Sequence, residues 1–406
     1  MLRTVRCVFL AVLILASTFP ARTALALGAQ EVGSILSIRP LGEAEPLPGD
    51  DGLTHVAYEL HVVNPSRFLV SIDLLEILDA GNGRTLGRLA GSALSAMTIM
   101  GGGEKGPVFG PSHSGYIYLD VVLPNEVLPS AIDHRFTISL QVRAAADDDH
   151  HGGPVPASVG LDSSLTFTGA RVEIDRRPPA VIAPPLRGDH WLVANGCCDA
   201  VNPHRAAVIA IDGALYVPER FAIDFVQLDR DGKLLTGPVD KLTSYSYFGA
   251  PVFSVASGTV AAAHDGEPEE VPGAMPKGKT ISTATGNYVI VDIGSRRYAV
   301  YAHFKTGSVR VRAGQHVAEG DVLGLVGNSG NTSNPHLHFH VSDRASPLSS
   351  VGLPYVFKRF EDQGIVSGLD AVIGGGAGTI QRAPQPGPHR NQLPLDNHVV
   401  GFGPTN

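Results

Sequence analysis

Apolar and polar residues alternate in short runs between Gly33 and Ile174. Val56-Ala-Tyr-Glu-Leu-His-Val-Val63, Ser114-Gly-Tyr-Ile-Tyr-Leu-Asp-Val-Val122 and Phe136-Thr-Ile-Ser-Leu-Gln-Val142 each put every second side chain on one face. That is the period of a strand with one face on a core and the other toward water. Asn-Pro, Gly-Asn-Gly and Gly-Pro breaks separate the runs. Residues 27–175 are therefore expected to fold as an immunoglobulin-like β-sandwich, an accessory unit with no catalytic constellation of its own. Arg176-Arg-Pro-Pro-Ala to Pro184-Pro-Leu suggests a semi-extended connector and lead-in over 176–203. A second β-rich unit follows at 204–364. Ile373-Gly-Gly-Gly-Ala-Gly and Pro384-Gln-Pro-Gly-Pro suggest that 365–406 is a tail adding little core.

The N-terminus has a different pattern. Arg3 and Arg6 precede the apolar run Cys7–Ala16, and Ala24-Leu25-Ala26 offers a small-residue cleavage site. This is the layout of a signal peptide at 1–26, with an apolar run shorter than the roughly 20 residues of a bilayer crossing. The expectation is export to a periplasm or the extracellular space, with no transmembrane helix after cleavage. Composition agrees with a β-dominated chain: of 406 residues only 17% are charged, while Gly 47 and Pro 30 are high. Loss of Arg3, Arg6 and Arg22 with the signal moves the formal charge from -8 to -11. An acidic chain lacks the basic footprint that nucleic acid requires. Only Cys197 and Cys198 remain after cleavage; as neighbours they form a vicinal ring, link two chains or stay free, and no catalytic role is assigned to them. Asp147-Asp-Asp-His-His151 is expected to be a solvated loop.

The chemistry concentrates in Asn334-Pro-His-Leu-His-Phe-His-Val341. On a strand His336, His338 and His340 share one face, with Leu337, Phe339 and Val341 on the other. Neutral imidazole is a common zinc ligand. Arg220-Phe-Ala-Ile-Asp-Phe-Val226 carries Asp224 in an apolar run, where a carboxylate needs a partner or a metal. Tyr298-Ala-Val-Tyr-Ala-His303 ends an apolar strand in a histidine. The stretches Gly249–Val260 and Gly314–Val326 suggest short hairpins with glycine at the turns.

Taken in order, Ala250-Pro-Val, Gly286-Asn-Tyr-Val, Tyr301-Ala-His303, Gly327-Asn-Ser-Gly-Asn331 and Pro335-His-Leu-His-Phe339 resemble the lysostaphin or LytM-type zinc metallopeptidases, which cut peptide cross-links in bacterial cell wall. The resemblance covers roughly Ala214 to Val341. It implies a LytM-type antiparallel β-sheet peptidase domain, one zinc ion, and peptidoglycan peptides as partner. It makes Asp224 and His338 metal ligands, and His336 and His303 the catalytic pair, with His336 as base and His303 as oxyanion stabiliser, or the two exchanged. A glutamate is commoner in the family at the position of His340, which is left outside the ligand set.

One departure matters. The family pattern has a ligand histidine four residues before the aspartate, and here that position is Arg220, which offers no lone pair. Arg220 is then expected to pair with Asp224 or with a substrate carboxylate. Either another histidine supplies the ligand, His204 being nearest, or the site is incomplete. For His204, strand pairing of Ile211 with Ala214 leaves it on the wrong face unless a bulge near Pro218 intervenes. The two resulting expectations are a zinc endopeptidase and a non-catalytic wall-binding or regulatory module with a regulatory protein partner.

Overall fold

A computed structural model describes residues 33–124, 128–141, 164–198 and 202–403. The signal-peptide expectation at 1–26 and the Asp147–His151 loop lie outside these residues. No helix among the described residues is long and apolar enough to cross a membrane. The described residues from Ser34 onward hold together as one unit.

The alternating runs do form strands. One five-stranded sheet has the order Ser37–Pro40, Leu53–Val63, Ser114–Pro124, Thr98–Met100, with Glu45–Pro48 also on Leu53–Val63. A second has the order Ser164–Glu173, Ala131–Gln141, Leu69–Asp79, Thr85–Ala90, with Val108–Phe109 also on Leu69–Asp79. Val56, Tyr58, Leu60 and Val62 alternate into a core shared with Leu75, Phe136 and Ile138 of the other sheet. The reverse face of Leu53–Val63 is not solvated, however. Ala57 is fully buried against the C-terminal part of the chain and Glu59 is 1% exposed.

The larger sheet is all antiparallel and has twelve strands. Its central run is Asn287–Asp292, Tyr298–Phe304, Leu337–Ser342, Ile223–Gln227, Gly188–Ala194, His398–Phe402, Phe360–Ser367. Leu337, Phe339 and Val341 are fully buried in its core with Phe225, Val289 and Tyr301.

Three expectations are corrected here. The 176–203 connector contains Gly188–Ala194, an interior strand whose Trp191 is 1% exposed, so the second unit starts well before residue 204. The 365–406 tail supplies His398–Phe402, paired on both sides, with Val399 and Val400 fully buried. Within its Gly/Pro-rich stretches Gly387–His389 is itself a strand, paired with Phe360–Asp362. Gly249–Val260 and Gly314–Val326 are not two separate hairpins: Pro251–Phe253 pairs with Val322–Leu325, and Gly258 with Val317.

Candidate metal centre

Three neighbouring strands place the site. Asp224 and His338 are directly opposite in register, and His338 in turn faces Ala302. His338 Nδ1 lies 3.0 Å from Asp224 Oδ1. His336, one residue before the strand, brings Nε2 to 3.3 Å from the same oxygen. His303, next to the end of the neighbouring strand Tyr298–Phe304, has its ring 4.7 Å from that of His336. The expected gathering of Asp224, His303, His336 and His338 is present, in a cleft of about 640 Å³.

His204 joins them. Its Nε2 lies 3.2 Å from Asp224 Oδ2, and His204, Asp224 and His338 form a cluster able to hold a cation. The route differs from the one expected. The hairpin pairing Ile211 with Ala214 exists, but as a separate two-stranded sheet. His204 sits in a turn ahead of it, so strand parity does not constrain its side chain and no bulge is needed. The neighbouring Arg205 anchors this turn, donating to Cys198 O at 2.8 Å and Leu119 O at 3.0 Å.

Arg220 is not in the cleft. It is 2% exposed and donates to Glu59 through Nη2 at 2.7 Å and Nε at 3.0 Å. The expected pairing with Asp224 or a substrate carboxylate is thus corrected: a fully buried carboxylate of the N-terminal sheets claims the guanidinium. Arg205 approaches the same carboxylate at 3.5 Å.

Backbone carbonyls fix the imidazole tautomers. His204 Nδ1 is 2.9 Å from Asn195 O, His336 Nδ1 is 2.8 Å from Asn334 O, and His303 Nδ1 is 2.7 Å from Ser329 O. Each Nδ1 donates, so in the neutral form each ring carries its lone pair on Nε2. The Gly327–Asn331 run builds the His303 support. Ser329 Oγ donates to Phe304 O at 2.8 Å and accepts from Asn287 N at 3.0 Å. Gly286 has φ +64, and a Cβ there would stand 2.2 Å from Ser329 O, so only glycine lets that carbonyl reach His303. His303 itself has φ +63, an uncommon region for a non-glycine residue.

The charges are strongly coupled. Burial alone would raise the Asp224 carboxyl, but His204 and His336 outweigh it and hold it well below the usual range. Burial opposes protonation of His204, yet the Asp224 carboxylate wins and raises it to about 9. Burial, with His336 and His338 nearby, pushes His303 well below its ordinary value. His340, left outside the ligand set, packs behind the site with Nδ1 3.0 Å from His338 Nε2, and burial lowers it as well.

Two site residues had no signal strong enough to single out. Asn195 donates to Asp224 Oδ2 at 2.8 Å, and its only mark in the sequence was the turn dipeptide Asn195-Gly196. Glu219 lies 3.7 Å from His338 Nε2 and adjoins Arg220. Cys197 and Cys198 form a vicinal disulfide in the same loop as Asn195.

Residues 243–350 match peptidase family M23. This part of the chain is an M23 domain of the lysostaphin/LytM type. The chain is 35% identical over 66 residues to peptidoglycan DD-endopeptidase ShyA of Vibrio cholerae, covering 16% of this chain and 15% of that protein. It is 39% identical over 105 residues to an uncharacterized metalloprotease of Haemophilus influenzae, covering 25% and 20%. The match thus spans a fifth or less of these relatives' lengths. A catalytic-domain mutant of the prophage-encoded M23 protein EnpA from Enterococcus faecalis aligns with 15% identity over 42% of this chain and 93% of that chain, with a TM-score of 0.26. Asp224 and His204 lie N-terminal to residues 243–350, which match the family.

Proposed function

We propose that the protein is an exported zinc endopeptidase that hydrolyses peptide cross-links of peptidoglycan, with His204, Asp224 and His338 as ligands. The observation that carries this reading is His204 Nε2 at 3.2 Å from Asp224 Oδ2, opposite His338 Nδ1 at 3.0 Å from Oδ1. Ligands about 2.0–2.1 Å from a tetrahedral zinc stand about 3.3 Å apart. With all three donor atoms within 4.8 Å of one another, the set can hold the ion without Arg220. With the His338 Nδ1 lone pair turned to the site, its Nε2 proton donates to His340 Nδ1.

Zinc, when bound there, would acidify a water and polarise a peptide carbonyl. The chain's own groups do the remaining work. In their neutral forms His336 and His303 carry the lone pair on Nε2, so whichever is neutral can accept a proton and pass it to the leaving amine, while the other, as imidazolium, donates to the developing oxyanion. The Asn334 and Ser329 carbonyls keep both rings from turning. Met275 and Ile281 on the cleft lining are each 56% exposed, giving an apolar rim for an extended peptide.

The non-catalytic alternative rests on Arg220 alone. Purified mature protein tests the choice through bound zinc and soluble muropeptides released from sacculi. One tightly held cleft zinc and product release, both lost in His338→Ala, are expected; sacculus binding without metal or product would overturn the enzyme reading.

A further inference from the structure

A second cluster lies away from the cleft, where the turn after Glu45–Pro48 meets the last strands of the large sheet. His398 Nδ1 is 2.8 Å from Asp50 Oδ2 and 3.3 Å from Asp362 Oδ2. The three side chains are 8%, 0% and 1% exposed. The other oxygens are already held by backbone: Leu395 N donates to Asp50 Oδ1 at 3.3 Å and Gly364 N to Asp362 Oδ1 at 2.9 Å. The two Oδ2 atoms and Nδ1 are buried together, and none of the three makes a hydrogen bond of acceptable geometry despite the short approach.

We propose that Asp50, Asp362 and His398 hold a second divalent cation, of the zinc class, in this seam. Three observations favour a cation over a bare ion triad. The three donor atoms lie within 4.8 Å of one another, close enough to share one small ion whose tetrahedral ligands stand about 3.3 Å apart. All three atoms converge, and a single proton on Nδ1 cannot serve both Oδ2 atoms in good geometry. Two buried carboxylates with one imidazolium keep a net negative charge, whereas a divalent ion with neutral imidazole makes the cluster neutral. The mixed oxygen and nitrogen set suits zinc and its first-row neighbours better than calcium. Because Asp50 belongs to the N-terminal sheets and Asp362 and His398 to the large sheet, the ion would staple the two together.

The full mature chain, loaded with zinc and dialysed, tests this by metal analysis in three forms. The wild type is expected to hold about two zinc ions per chain and the cleft variant Asp224→Asn/His338→Ala about one. His398→Gln added to that variant should remove the remaining ion. A folded cleft variant that binds no zinc overturns the proposal. If the cleft reading itself were wrong, the wild type and the cleft variant would hold the same single ion, which still supports the seam site. Should His398→Gln not fold, X-ray absorption at the zinc edge of the folded cleft variant decides. Oxygen ligands with one imidazole support the site, and a shell of water alone overturns it.

Discussion

A buried carboxylate facing three imidazoles is costly unless something holds the charges in balance. Asp224 is in that position, with His204, His336 and His338 all within 3.3 Å. The residue that best probes the arrangement is His204, because position 220 no longer supplies a nitrogen. His204→Ala is expected to weaken zinc binding by about 100-fold or more, beyond the loss of an outer partner; chelator competition checks this, and unchanged affinity would remove His204 from the site. Gly286→Ala acts at one remove. Its Cβ would drive into Ser329 O, so hydrolysis should fall by about 100-fold while zinc content is retained. Asp224, His303, His336 and His338 were legible in the sequence because strand period and motif order agree. The position of His204 was legible only as proximity in the chain, since a turn obeys no strand parity.

At the scale of elements, regular alternation was readable and long-range pairing was not. Leu53–Val63 and Ser114–Pro124 form from local pattern and pair without a break. Gly188–Ala194 and His398–Phe402 are too short, and too hidden among proline and glycine, for local pattern to reveal their place in the sheet. They become strands because each has a partner on both sides. Truncation after Gly368 would strip His398–Phe402 from Gly188–Ala194 and bare Trp191. The expected outcome is insoluble or unfolded protein, judged by circular dichroism and proteolysis. A folded, zinc-binding truncate would show that the segment is dispensable after all.

Over the whole molecule, Glu59 links the N-terminal sheets to the site. Fully buried, it accepts from Arg220 at 2.7 Å and faces Arg205 at 3.5 Å, and Arg205 adjoins His204. Nothing in the sequence connects positions 59, 205 and 220, because the link is tertiary. Glu59→Gln leaves two buried guanidinium groups without their carboxylate, at a cost of about 3–5 kcal/mol. Denaturant unfolding checks the stability loss, and zinc affinity should fall with it through the His204 turn. Nearby, Glu45 is raised to about 7, by burial above all, against the opposing charge of Arg220. A carboxyl raised on folding binds more protons folded than unfolded, so its contribution to stability is lost as pH climbs from about 4.5 to 7. Glu45→Gln removes that dependence. Relative to wild type it should gain up to about 3 kcal/mol between pH 4.5 and 7, read by unfolding at both values; an equal difference at both would contradict it.

Anomalous diffraction at the zinc edge from crystals of the mature protein tests the central assignment most directly. The predicted result is a peak bonded to His204 Nε2, Asp224 and His338 Nδ1. A cleft peak bonded to His303, His336 and His338 with His204 apart, or no peak in the cleft at all, would contradict it.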